Sequence, residues 1–244
     1  MEDLMTIELV RPESPEHHHT HRDVTGGWLR PAVFGAMDGL VSNFALIAGV
    51  VGAAGAGQGA VLAGFAGLIA GACSMAAGEY TSVKSQTELM RAEIAVERRE
   101  LARNPEGEQA ELAALYRARG LEPELAERVA AGLSADPEQA LRVHVREELG
   151  VDVDDLPSPY VAAASSFGAF AAGALVPLVP FLFGASGLMV ALVLSVVALF
   201  GFGAAVAVMT ARPWWLGGLR QLALGVGAAT VTYGLGHLLG VTVA

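Results

Sequence analysis

The sequence predicts an all-α membrane protein: five transmembrane helices, with a cytosolic helical insert between the second and third. Three observations carry that expectation. Hydrophobic residues make up 53% of the 244-residue chain, 30 residues are glycine and the mean hydropathy is +0.49, a composition that suits closely packed membrane helices better than a soluble enzyme. Five segments are apolar over the ~20 residues that a helix needs to cross a ~30 Å hydrocarbon core. The charges are also segregated. Of the 25 acidic residues, 17 fall between Glu88 and Asp155 and none follows Asp155, while from Pro31 to Val83 the only charged residues are Asp38 and Glu79. The chain thus divides into a polar tail (1–30), a first membrane block (31–87), an acidic helical insert (88–155) and a second membrane block (156–244).

The first span is expected from Pro31 to about Ala53. Gly35 and Gly39 form a GxxxG pair on it, and Gly67 with Gly71, then Ser74 with Gly78, repeat the small-xxx-small spacing on the second. Such surfaces let backbones approach closely, so the first two spans are expected to pack tightly or to dimerise. The second span begins near Ala60 and reaches about Val83 without a stop signal. The helical pattern continues through YTSVKSQTELMRAEIAVERRELARN, so one long helix should project from the membrane as far as Asn104. Asn104-Pro105 reads as an N-cap followed by proline at the first helical position. The helix it opens should end at about Arg119, before Gly120. Pro123 opens another, to about Leu133. Asp136-Pro137 repeats the cap signature, and the last insert helix should stop at Gly150. The acidic VDVDDLPSP then leads to a third span at about Pro159 to Phe183, a fourth at about Ser186 to Ala211 and a fifth at about Trp214 to Leu239.

Basic residues set the orientation. Arg22 and Arg30 precede the first span, Lys84 and Arg91 follow the second, and Arg212 and Arg220 sit at the turn between the fourth and fifth. All lie on one side if the N-terminus is cytosolic, with the uncharged turns on the far side. Trp214 and Trp215 suit an interfacial anchor. The first 30 residues lack the basic and apolar regions of a cleavable signal. Fourteen arginines against one lysine, with abundant alanine, point to a GC-rich bacterial genome and hence to a bacterial cell membrane.

The net charge of −10 argues against a nucleic-acid partner. A single cysteine, Cys73, excludes an intrachain disulfide and a cysteine-cluster metal site, and its apolar setting reads as a small packing residue. No nucleophile–base pair or phosphate-binding loop is present, so an enzyme is not expected.

The chemistry rests on polar residues in costly places. A carboxylate at bilayer depth costs at least ~2.5–3.5 kcal/mol on insertion scales, so Asp38 and Glu79 should face a bundle interior or a wet path. Asp38 lies eight residues past Arg30, ~12 Å along the helix. Met75 and Glu79 precede Lys84 by nine and five residues, ~14 and ~8 Å, so all three side chains reach similar depths in antiparallel spans. Met75 and Glu79 share a helix face. Two hard oxygen donors with one soft thioether suit a borderline divalent transition metal better than Mg²⁺ or Ca²⁺. The competing reading is a protonated Asp and Glu hydrogen-bonding between helices, with Met75 as core filler.

In the insert, Glu97 and Glu100 are spaced i, i+3, Glu108 and Glu111 repeat that spacing on the next helix, and His144 and Glu148 are i, i+4 on the last. Glu and His at such spacings on facing helices are how carboxylate metal sites are built in bundles. Glu93, Glu106 and Glu147 are nearby spares. The competing reading is a solvated face, with Arg98, Arg99 and Arg103 pairing with the acids. His17, His18, His19 and His21 read either as a loose metal-binding cluster or as a disordered tail or tag remnant. His237 reads as structural or interfacial.

DGLVSNFALIAGVVGA, GLIAGACSMAAGEYTSVKSQTEL and ERRELARNPEGEQAELAALYRARGL together resemble the vacuolar iron transporter family, from about Gly26 to the C-terminus. The resemblance implies five membrane helices, a homodimer with the path between its copies, and export of Fe²⁺, with Mn²⁺ or other divalent metals, from the cytosol in exchange for protons. No prosthetic group is implied; the metal is the substrate. The resemblance also implies a cytosolic metal-binding domain between the second and third spans. Its glutamates match Glu97, Glu100, Glu108, Glu111 and Glu148, and Asp38 and Met75 match the family's membrane path. The chain departs from plant members in carrying His144 and Val145 where they have a methionine pair. A metal buffer or sensor anchored in the membrane, with nothing crossing, is the main alternative, and a proton-coupled transporter of an organic cation is a second.

Overall fold

The computed structural model describes residues 27–55, 57–182 and 187–243. The His17–His21 cluster and Arg22 lie outside the described residues, as does much of the turn between the third and fourth spans. Eight helices follow one another with no strand among the described residues: α1 Leu29–Ala54, α2 Gln58–Arg103, α3 Pro105–Ala118, α4 Pro123–Leu133, α5 Pro137–His144, α6 Pro159–Leu182, α7 Gly187–Met209 and α8 Trp214–Val243. Five of them, α1, α2, α6, α7 and α8, are long and apolar enough to cross a membrane, and the chain is an integral membrane protein.

α1 sits at the centre of the apolar bundle, packed chiefly on α6 and α8 and less extensively on α2. Small residues determine how closely it does so. A Cβ added at Gly35 would fall 2.6 Å from the Ser166 carbonyl oxygen, and at Gly39 2.2 Å from that of Phe170. Reciprocally, a Cβ at Gly173 would fall 2.3 Å from the Ala36 carbonyl oxygen. The α1 GxxxG pair therefore meets the third span, while Gly67 of α2 faces Leu46 and Asn43 of α1. GxxxG specifies close approach but carries no information about the partner. Gly236 and Gly240 perform the same service between α8 and α1, meeting the carbonyls of Gly49 and Ala53. Cys73, expected as a packing residue, is exposed on the outer face of α2. Trp214 and Trp215 are exposed at the start of α8, as an interfacial anchor requires.

α2 is one unbroken helix of 46 residues, ~69 Å at 1.5 Å per residue. Its second half carries the polar helices. Ile94 of α2 packs with Leu141 and Val145, and a second small core joins Leu112 and Ala113 of α3 to Ala130 of α4. The Thr87 hydroxyl donates to the Pro157 carbonyl at 3.0 Å, tying α2 to the segment that returns to α6.

The caps stand where the sequence places them. The Asn104 side chain accepts from the Gly107 N–H at 3.2 Å and the Asp136 carboxylate from the Glu138 N–H at 3.0 Å, each followed by proline at the first helical position. Gly120 and Gly150 adopt positive φ of 99° and 65°, which glycine tolerates without strain. The last insert helix differs from expectation in one respect. α5 is regular only to His144, and Val145–Leu149 form a π turn before Gly150. Such turns widen a helix locally and recur at functional sites.

Candidate functional site

Four of the six predicted insert residues converge. Glu97 from α2, Glu108 from α3, His144 from the end of α5 and Glu148 from the π turn each offer a ligand atom, and these atoms lie within 4.8 Å of one another. His144 is fully buried. Its Nδ1 lies 3.1 Å from Glu148 Oε1, 3.3 Å from Glu97 Oε1 and 3.7 Å from Glu108 Oε2. Its Nε2 is buried and has no hydrogen-bond partner among the described residues. One imidazole nitrogen thus faces three carboxylates, a donor set that can hold a cation.

The helix faces explain which acids turn inward. Glu97 lies between Ile94 and Leu101 on the buried stripe of α2, at i+3 and i+7 spacing. Glu108 lies one turn before buried Leu112 on α3. Glu100 and Glu111 fall off these stripes and are exposed. They stand outside the four-residue cluster but close enough to act on it electrostatically. Burial holds the Glu97 carboxyl above the usual carboxylate range, reinforced by Glu148, Glu108 and Glu111 and opposed by His144. Glu108 is raised likewise, by burial first and then by Glu111, Glu148 and Glu100, against the same imidazole. Crowded carboxylates that resist ionisation together are a site short of positive charge.

The arginines do not supply it. Arg98 lies 4.0 Å from Glu138 and the Arg99 Nε donates to the Ala95 carbonyl. No described ion pair joins Arg98, Arg99 or Arg103 to the four clustered residues. Arg119 instead pairs with Glu147, whose other oxygen accepts from the Tyr116 hydroxyl at 3.3 Å. Glu147, adjacent to Glu148, is therefore occupied elsewhere and anchors the π turn to α3.

In the membrane bundle, Asp38 and Met75 line one cavity of about 340 Å³ between α1, α2 and α6. Glu79, one turn beyond Met75, is not among its lining residues. Ser42 and Asn43, which sequence reasoning passed over, and Ser74, which it read only as a small packing residue, line it as well. The available signal was their polarity inside apolar runs, with Ser42 one turn from Asp38 on the same face.

The family model described as the VIT family matches residues 29–237. The chain is 39% identical over 225 residues to a vacuolar iron transporter of Acanthamoeba castellanii, covering 90% of this chain and 77% of that protein. It is 31% identical to vacuolar iron transporter 1 of Oryza sativa subsp. japonica over 90% of this chain and 88% of that protein. Against vacuolar iron transporter 1 of Arabidopsis thaliana the identity is 33%, over 83% of each. With five apolar helices, and a match that runs across nearly all of them, the chain belongs to the VIT family, whose members are transporters and not enzymes.

Proposed function

We propose that this chain is a proton-coupled transporter that exports Fe²⁺, with Mn²⁺ or related divalent transition metals, from the cytosol. The observation that carries the proposal is the cavity lined by the Asp38 carboxylate and the Met75 thioether within the apolar bundle. An acid at that depth is costly unless it faces a path, and an oxygen–sulfur donor pair selects borderline metals over Mg²⁺ and Ca²⁺. The vacuolar iron transporters to which the chain is similar support iron as the substrate.

The mechanism has three steps. Glu97, Glu108, His144 and Glu148 capture metal on the cytosolic side, with Glu100 and Glu111 adding negative field at the rim. Metal passes along α2 by way of Glu79 and Met75 to Asp38. Protons from the far side neutralise the membrane acids, weaken ligation and release the ion. Ligands must be deprotonated to bind metal and give up the metal when protonated, so opposed fluxes of metal and protons have a physical basis. The insert at 88–155 acts as the metal-binding domain, and the basic residues Arg30, Lys84, Arg91, Arg212 and Arg220 support a cytosolic insert. The arginine-rich composition supports a bacterial cell membrane. The cavity lies against the exposed face of α2 that carries Ser74 and Gly78, which supports a homodimer with the path between its copies.

A membrane-anchored metal buffer or sensor is the second reading, favoured by the four-residue cluster alone, since such a protein needs the insert but no acid in the bilayer. Fe²⁺ uptake into proteoliposomes by Asp38→Ala separates the two. Transport predicts lost uptake with metal binding at the insert intact; unchanged uptake removes Asp38 from the path.

A further inference from the structure

Asn43 is a polar side chain placed in the middle of an apolar helix and only 1% exposed. Its Nδ2 donates to the Ala174 carbonyl of α6 at 2.6 Å. That bond fixes the amide's orientation, because the reverse assignment would set two oxygens against each other. The Oδ1 is therefore turned away from α6. It is buried and has no hydrogen-bond partner among the described residues. Leaving a buried amide oxygen unpaired costs ~1–3 kcal/mol, and hydrogen bonding to α6 alone would not require the other end of the amide to be left so. Asn43 lines the same cavity as Asp38, Ser42, Gly67, Ser74 and Met75, and a Cβ added at Gly67 would fall 2.9 Å from Oδ1. Gly67 is the residue that faces this oxygen, and a side chain there would press on it. The Ser42 hydroxyl is already committed as a donor to the Asp38 carbonyl, so it cannot also donate to Asn43.

We infer that the Asn43 side-chain carbonyl is a third metal ligand of the membrane path, joining the Asp38 carboxylate and the Met75 thioether. A neutral amide oxygen suits this place. It adds a hard donor without adding another buried carboxylate, so Asp38 remains the only charged ligand among the three, and the ion can leave when that charge is neutralised. It also broadens selectivity, because two oxygens against one sulfur admit Mn²⁺, which a carboxylate–thioether pair alone would hold poorly.

The inference rests on the transport reading, and the test separates the two. Initial rates of Mn²⁺ and Zn²⁺ uptake are measured in proteoliposomes of the full chain for wild type, Asn43→Leu and Gly67→Ala. Asn43→Leu keeps the side chain's size and removes the oxygen. Gly67→Ala keeps the Asn43 amide but sets a methyl 2.9 Å from its Oδ1, blocking approach to that oxygen, and its nearest clash, 2.4 Å from Leu46 Cδ2, is with the tip of an exposed side chain that can move. Both variants should raise KM for Mn²⁺ about tenfold or more, on the scale of a lost metal interaction, and raise KM for Zn²⁺ less. A purely structural Asn43 would instead lower Vmax for both ions and leave KM unchanged, and that result overturns the inference. Normal Mn²⁺ KM in Gly67→Ala overturns it even if Asn43→Leu does not fold. No Fe²⁺, Mn²⁺ or Zn²⁺ uptake by wild type overturns the transport reading itself.

Discussion

Replacing Glu97 with glutamine should change stability in opposite directions with and without metal. The clustered ligand atoms lie within 4.8 Å of one another. At that separation and an effective dielectric of ~20, two full charges repel by ~3.5 kcal/mol. Glu97 faces two other carboxylates, with side-chain exposures of 14% for Glu97, 13% for Glu108 and 29% for Glu148, so solvent screening is limited. Partial protonation and the imidazole offset much of the repulsion, leaving a net gain of ~1–3 kcal/mol when one charge is removed. The variant's amide can also donate to a remaining carboxylate. Without metal, Glu97→Gln should therefore melt higher, by about 2–4 °C per kcal/mol for a chain of this size. With metal the order reverses. A ligand at 100 times its Kd stabilises by ~2.7 kcal/mol, and a 100-fold weaker site at the same concentration by only ~0.4. The assay is thermal unfolding of the full-length protein in detergent, with and without Mn²⁺. A metal-free variant that melts lower, together with an unchanged Mn²⁺-induced shift, would refute the reasoning.

Glu100→Gln and Glu111→Gln, outside the cluster, should weaken Mn²⁺ binding to the insert several-fold less than Glu97→Gln in calorimetric titration. Metal affinity of the insert should rise with pH across a window that begins above 4.5, the ordinary glutamate value, because Glu97 and Glu108 are both raised and must ionise to bind. The sign for folding is the reverse: raised folded-state carboxyls favour the metal-free fold in acid and lose that contribution as pH rises through their folded values. Parallel binding and melting curves against pH check both. Gly39→Ala should destabilise the bundle by ~1–3 kcal/mol through overpacking against the Phe170 backbone. Gly227→Ala on α8, whose added Cβ meets nothing within 4 Å, should be neutral or slightly stabilising, and melting temperatures of the two in detergent compare them directly.

What was legible in the sequence was local. Asn104-Pro105, Asp136-Pro137, Gly120 and Gly150 end or begin helices through their own side chains or backbone freedom, so each boundary fell within a residue or two of its expected place. The five spans were legible from length and polarity alone. Partners were not. Gly35 and Gly39 announced close packing, but only the folded bundle assigns it to Ser166 and Phe170 of α6. The choice of Glu97 over Glu100 depends on how α2 is rotated, which Ile94 and Leu101 fix by burial. That stripe was readable, and weighing it would have separated the pair. The π turn that presents Glu148 beside His144 has no local signature. Asn43 was hidden for a different reason: its significance lies in one oxygen left unpaired, and pairing is a property of the whole fold.

The most direct measurement is Fe²⁺ flux into proteoliposomes loaded with a pH-sensitive dye, for wild type and Asp38→Ala. Proton-coupled transport predicts a pH change in the lumen that scales with Fe²⁺ uptake, and loss of both in the variant. Fe²⁺ flux with no accompanying pH change would contradict the coupling, and equal flux in the variant would contradict the path.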